Sequence, residues 1–231
     1  MSIKTIYVIH YSKLKERKKN IQKHFKDYVE NINFIEDFDQ ENINLESISN
    51  QYNADKEKYY EKVKLWGENA VDFYELSKGE ISCAYKHIEA LKKLSTSNEE
   101  LGLILEDDVI PLSKDFMKNI QEILNTNSNW DIVFIGSGIG KEFINSKLTF
   151  LDKLLRRKLI SISHPATNCA ESYIVKKSTA KAIFQYIEEF NMAWDWELAY
   201  ILKELNLKVM WCWPPIFEQG SKNGLFNSEL R

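Results

Sequence analysis

The sequence has only 3 cysteines, widely spaced at Cys83, Cys169 and Cys212. An odd count with no CxxC pair argues against a disulfide scaffold and against a zinc–thiolate site, so reduced thiols in a cytoplasmic protein are expected. Basic excess is also missing. The formal net charge is −3, which gives no support to a general nucleic-acid binder. No stretch approaches the ~20 apolar residues of a membrane span. The first apolar run, Ile6 to Ile9, is too short for a signal peptide and no cleavage site follows it. The chain is therefore expected to be non-integral and cytoplasmic, with peripheral work at the inner face of a membrane left open. There is no internal repeat and no low-complexity segment. Gly136-Ser137-Gly138-Ile139-Gly140 lacks the Lys-Ser/Thr pair of a Walker A loop and is no dinucleotide fingerprint; it reads as a flexible turn lining a cleft. His10-Tyr11-Ser12 supplies no nucleophilic Asp after the first strand, which ranks a metal-dependent phosphoryl-transfer enzyme last.

What is present is a soluble globular composition, 44% hydrophobic and 28% charged. Ile6 to Ile9 predicts a buried strand, followed by a helical pattern over Lys13–Tyr28 with Ile21, Phe25 and Tyr28 or Val29 inward. Asn33–Ile35 predicts a second strand. Ser77-Lys78-Gly79-Glu80 fits a capping box that starts a helix running to about Leu94. Leu101–Leu105 reads as a central parallel strand. Ser113 is placed to cap a helix over Lys114–Leu124. Further strands are predicted over Trp130–Ile135, Glu171–Val175 and Leu207–Trp213, with helices over Ser178–Phe190 and from Trp194 to about Leu205. Strands alternating with helices predict one α/β domain over 1–231 with a mostly parallel sheet flanked by helices. Segments 39–76 and 141–165 read as insertions or variable acceptor-side segments, the first with one or two short helices and the second loop-rich. Pro214-Pro215 and a polar tail follow the last strand.

The central strand ends in Glu106-Asp107-Asp108. Alternation puts Glu106 and Asp108 on one face and Asp107 on the other. Ligands of open α/β sheets bind beyond the carboxyl ends of strands. Two same-facing carboxylates there suit a divalent cation that stabilises a departing diphosphate. A solvated turn with acids near a helix N-terminus is the alternative.

Three blocks then fit one family. Leu76–His87 (LSKGEISCAYKH) resembles the L-x-x-G-E-I-x-C-x-x-S-H block of glycosyltransferase family 25, and Leu103–Val109 (LILEDDV) resembles its LILEDDV block. Ile6–Ile9 with Arg17 resembles its opening strand and basic segment. The likeness covers residues 3 to 140 well and continues weakly through Ala170–Val175, Asp195 and Pro215–Gln219. The family includes bacterial lipopolysaccharide and lipooligosaccharide galactosyltransferases and the collagen galactosyltransferases. The resemblance implies a GT-A-type fold, a UDP-sugar donor, a glycan acceptor such as lipooligosaccharide, a divalent metal (Mn2+ or Mg2+) and inverting transfer, usually of galactose. Asp108 becomes the first choice for metal ligand. Glu106 either joins it or holds the ribose or a metal-bound water. Ile9, His10, Arg17, Gly79, Glu80 and Asp107 are expected around the donor. Two departures put the sugar in question: Lys86 stands where the family often has Ser, and His10-Tyr11 where Asn-Leu is common.

An inverting transfer needs a group to take the acceptor hydroxyl proton. Asp195 is the first candidate and Glu197 the second, with helix capping by Asp195 as the alternative. Trp194 and Trp196 are expected at the acceptor, and Trp211 and Trp213 on one sheet face; core packing is the default for at least two of these four. His87 either faces the site or is a core histidine, and is not proposed as the base. The basic stretch Lys153–Lys158 reads as a solvated face or an anionic-surface contact. A non-catalytic nucleotide-sugar-binding protein or scaffold is the rival class.

Overall fold

The computed structural model describes residues 2–46, 48–69, 74–126, 129–138, 158–162 and 170–227. The chain opens β1 (Thr5–Ile9), α1 (Lys15–Phe25), β2 (Asn31–Ile35). After α2 (Lys56–Val63) come α3 (Lys78–Thr96), β3 (Leu101–Glu106), β4 (Val109–Pro111), α4 (Phe116–Leu124) and β5 (Ile132–Phe134). The second half supplies β6 (Lys158–Ile162), β7 (Ser172–Lys176), α5 (Lys177–Tyr186), α6 (Trp194–Glu204), β8 (Val209–Trp213) and β9 (Phe217–Gln219).

Among the described residues, seven strands form one sheet in the order β2-β1-β3-β7-β5-β8-β6, and β4 pairs with β9 in a small second sheet. Strands β2, β1, β3, β5 and β8 run one way; β7 and β6 run against them. The expected mostly parallel sheet is present, with two corrections of detail. β3 is parallel to β1 but antiparallel to β7. The segment expected to be loop-rich contributes β6, antiparallel to β8. Residues 139–157, including most of the basic stretch and the end of the glycine run, lie outside the described residues.

Strand alternation sorts the core into two layers. Tyr7, Ile104, Tyr173 and Trp211 pack against α3, α5 and α6 on one face. Ile6, Val8, Leu103, Leu105 and Ile174 pack against α1 and α4 on the other. Trp213 packs against the same layer as Trp211, as alternation requires. Each fully buried aliphatic or aromatic side chain, such as Ile21 or Phe25 on α1, contributes about 1.5–3 kcal/mol. Tyr28 lies beyond α1 and is 52% exposed, so the apolar face of that helix ends at Phe25.

Helix α3 starts as the sequence predicts. The Ser77 hydroxyl accepts from the Glu80 N–H and the Glu80 carboxylate accepts from the Ser77 N–H. Helix α4 does not begin at Ser113; its N-cap is Asp115, and the Ser113 hydroxyl accepts from the Asp115 N–H instead. The tail after Pro215 is the largest departure from expectation. It folds back as β9, and Gly220 donates its N–H to the Asp108 carbonyl.

Candidate donor site and acidic cluster

Parallel pairing of β1 with β3 sets Ile9 opposite Glu106. Both strands stop there, so His10 and Asp107 emerge side by side at the carboxyl edge of the sheet. A cavity of about 350 Å³ opens at this edge. Its walls come from the end of β1 (Ile9, His10), α1 (Arg17), α3 (Gly79, Cys83, Lys86), the acidic triplet, and the returning tail (Gln219, Ser221, Lys222).

The triplet divides into distinct tasks. Asp107 is buried, and its Oδ2 accepts from His10 Nδ1 at 2.7 Å and from the Tyr11 N–H at 3.2 Å. Its Oδ1 accepts from Arg17 Nη1 at 2.8 Å. Both oxygens thus tie β1 and α1 to β3, and one nitrogen each of His10 (Nδ1) and Arg17 (Nη1), both expected at the donor, is turned toward Asp107, while Arg17 Nη2 donates to the Asn227 carbonyl. Asp108 behaves differently. Its Oδ2 accepts from Ser221 Oγ at 2.5 Å, while its Oδ1 is buried without a hydrogen-bond partner among the described residues. Such an orphaned carboxylate oxygen beside a cavity fits a cation ligand. Glu106 Oε2 accepts from Gln219 Nε2 at 3.1 Å. Burial, and then the charges of Asp108 and Asp107, push its pKa up to about 8. That repulsion is what a bound cation would relieve. Asp107 and Asp108 lie in the turn after β3, not in a strand, so it is hydrogen bonding and not strand alternation that parts their directions.

Lys86 has a clear account. Its ammonium is buried, donating to the His10 carbonyl and pairing with Asp39, which also accepts from the Ser12 hydroxyl. The two departures from the family pattern, His10-Tyr11 and Lys86, therefore belong to one network. A buried cation is tolerated when paired and hydrogen-bonded in this way.

Several expected site residues stand elsewhere. Glu80 is held in the capping box and does not line the cavity, whereas Gly79 does. Glu197 is buried, with one oxygen on Lys62 Nζ and the other accepting from the N–H groups of Asn191 and Met192. Those bonds commit both oxygens to holding α6 in place, which removes Glu197 as a candidate base. Trp194 is 3% exposed and stacked on His87, so it is core and offers no face to an acceptor. Trp196 is partly buried and packs against Trp66 at 5.0 Å. Asp195 sits one residue inside α6, whose N-cap is Ala193, and its Oδ1 accepts from the Trp196 N–H. Burial and then the charge of Glu106 raise its pKa to about 6. Asp195 does not line the cavity, yet Glu106 is close enough to perturb it.

Sequence reasoning missed Glu171 and the tail residues. Glu171 is fully buried just before β7; its Oε1 accepts from the Gly138 N–H at 2.8 Å and its Oε2 has no hydrogen-bond partner among the described residues. Burial raises its pKa to about 8. An acid heading the apolar run Ser172–Val175 was the available signal. Gln219, Ser221 and Lys222 carried none, since nothing local in the tail shows where it returns.

The family model described as glycosyltransferase family 25 (LPS biosynthesis protein) matches residues 3–198. The chain belongs to glycosyltransferase family 25. The acidic triplet, the α3 start and Glu171 all lie within the matched span of this family-25 chain, while the tail that closes the cavity lies beyond it. The seven-stranded sheet flanked by helices is the GT-A-type α/β architecture that the resemblance implies. Among solved structures, a mutant Drosophila β-1,4-galactosyltransferase 7 in complex with manganese, UDP-Gal and xylobiose aligns with this family-25 protein over 95% of the chain and 71% of its own length. The identity is 11% and the TM-score 0.45. No curated protein matches the sequence. Among the described residues, no helix is long and apolar enough to cross a membrane.

Proposed function

We propose that this family-25 glycosyltransferase moves a hexose, with galactose the first choice, from a UDP-sugar to a glycan acceptor such as lipooligosaccharide. The observation that carries the reading is Asp108: one oxygen fixed by Ser221, the other buried, unpartnered among the described residues and beside the cavity. Asp108 and Glu106 are the residues that would hold a divalent cation, Mn2+ or Mg2+. Such a cation supplies charge neutralisation for a departing diphosphate. Lys222, on the tail, adds positive charge to the same wall. Asp107 takes no direct part; by holding His10 and Arg17 it fixes the carboxyl edge on which Glu106 and Asp108 stand. Asp195 remains the candidate base for a single inverting displacement, because a carboxyl with pKa near 6 takes a hydroxyl proton more readily than an ordinary aspartate.

UDP release is measured with manganese and a panel of UDP-hexoses, comparing wild type with Asp108→Ala. Loss of at least about 100-fold is expected for the variant. Equal turnover by the two proteins overturns the metal role. The rival reading, a nucleotide-sugar binder without turnover, draws on one observation: neither Asp195 nor Glu197 lines the cavity. Thermal protection by a UDP-sugar with no transfer to any glycan would favour it.

A further inference from the structure

Helix α3 carries two metal-type ligands on the face that meets β3. Cys83 and His87 are one helical turn apart, so their side chains share that face. Cys83 lines the cavity, and His87, one turn further along the helix, is fully buried. The imidazole is clamped between Tyr173, at 5.9 Å between ring centroids, and Trp194, at 5.2 Å, both nearly parallel to it. Its Nδ1 is 3.1 Å from the Tyr173 hydroxyl.

The other ring nitrogen is the anomaly. His87 Nε2 is buried with no hydrogen-bond partner among the described residues, and Glu106 Oε1 lies 3.7 Å from it. That separation is too long for a hydrogen bond. It suits two ligands of one cation, since donors about 2.0–2.3 Å from a tetrahedral metal lie roughly 3.3–3.8 Å from each other. Cys83 Sγ completes the set, and the three donor atoms lie within 4.8 Å of one another. Each oriented ligand is held from behind: His87 by Tyr173 through Nδ1, and Glu106 by Gln219 through Oε2. Such support is typical of metal ligands.

We propose that Cys83 Sγ, His87 Nε2 and Glu106 Oε1 form a binding site for a zinc-class divalent cation, with its fourth position open to the cavity. Thiolate and imidazole select zinc or cobalt over magnesium and manganese. This site is therefore chemically separate from the oxygen-only pair Asp108 and Glu106, although Glu106 belongs to both. On binding, the Cys83 S–H bond breaks, its proton leaves to solvent, and a metal–sulfur bond forms; no electron transfer is involved. The cysteine spacing in the sequence argued against zinc–thiolate chemistry because it addresses sites built from several cysteines. A single thiol joined by His and Glu across a helix and a strand leaves no such pattern.

The full-length chain, stripped with chelator, is titrated with Co2+ and then Zn2+. The expected result is a cobalt–thiolate charge-transfer band that saturates at 1:1 and is displaced by Zn2+. Cys83→Ser abolishes the band while the circular dichroism is unchanged, and Cys169→Ser and Cys212→Ser retain it. Asp108→Asn also retains it, which separates this site from the metal role proposed for sugar transfer; failure of manganese-dependent UDP release leaves the cobalt result standing. Absence of the band in wild type, its persistence in Cys83→Ser, or its loss in Asp108→Asn overturns the proposal.

Discussion

Arg17 Nη1 lies 2.8 Å from Asp107 Oδ1, joining the first helix to the turn after β3 across 90 positions of sequence. The side chains are 11% and 7% exposed, so the pair is nearly dry. The middle acid of the triplet is thereby a brace, and the ligand role proposed above falls to the two acids flanking it.

Replacing that brace with an amide leaves the part-buried Arg17 beside a neutral partner. Asp107→Asn is expected to lower stability by about 3 kcal/mol, the usual cost of removing one member of a buried ion pair. Urea unfolding of the variant against wild type measures it, and a change below about 0.5 kcal/mol would show that the pair is not structural.

Ser221 fixes one oxygen of Asp108 through its hydroxyl, at 2.5 Å, and more weakly through its N–H, at 3.3 Å. Ser221→Ala keeps the backbone contact and removes the hydroxyl. Manganese activation of UDP release should then need about 10–100-fold more metal, as for other lost second-layer contacts, with the rate at saturating metal retained. An unchanged manganese requirement would separate Ser221 from the metal site.

Glu171 gives the pH dependence a definite sign. Its folded pKa, about 8, lies above the ordinary value of 4.5 because the carboxyl is buried. Protonation therefore favours the folded state. This contribution is complete below pH 4.5 and is lost as pH rises through 8. Glu171→Gln keeps an acceptor for the Gly138 N–H and cannot ionise. Its melting temperature should fall less than that of wild type between pH 5 and pH 9. Parallel pH profiles for the two proteins would remove Glu171 from the account.

Gly220 passes so close to the triplet that a Cβ there would lie 2.6 Å from the Phe226 ring and 2.9 Å from the Asp108 carbonyl oxygen. The ring can swing aside; the backbone oxygen cannot. Gly220→Ala is expected to cost about 1–3 kcal/mol and to loosen the tail. Limited proteolysis cleaving first within 220–227 in the variant is the readout, and an unaltered cleavage pattern would contradict it.

The sequence by itself determined the local chemistry. The capping box at Ser77–Glu80, the apolar run ending at Glu106 and the opening strand up to Ile9 are legible because each signal lies within a few consecutive residues. Periodicity also gave the alternation of strands and helices, and the paired motifs gave the family. Tertiary structure alone decided which acid does what. Asp107 is occupied because His10 and Arg17 reach it from another strand and helix, and Asp108 is half free because Ser221 returns from the far end of the chain. Trp194 and Glu197 looked like site residues for the same reason that they are core: aromatic and acidic side chains at a helix start serve packing and surface alike, and only the neighbours that fold against them tell the two apart.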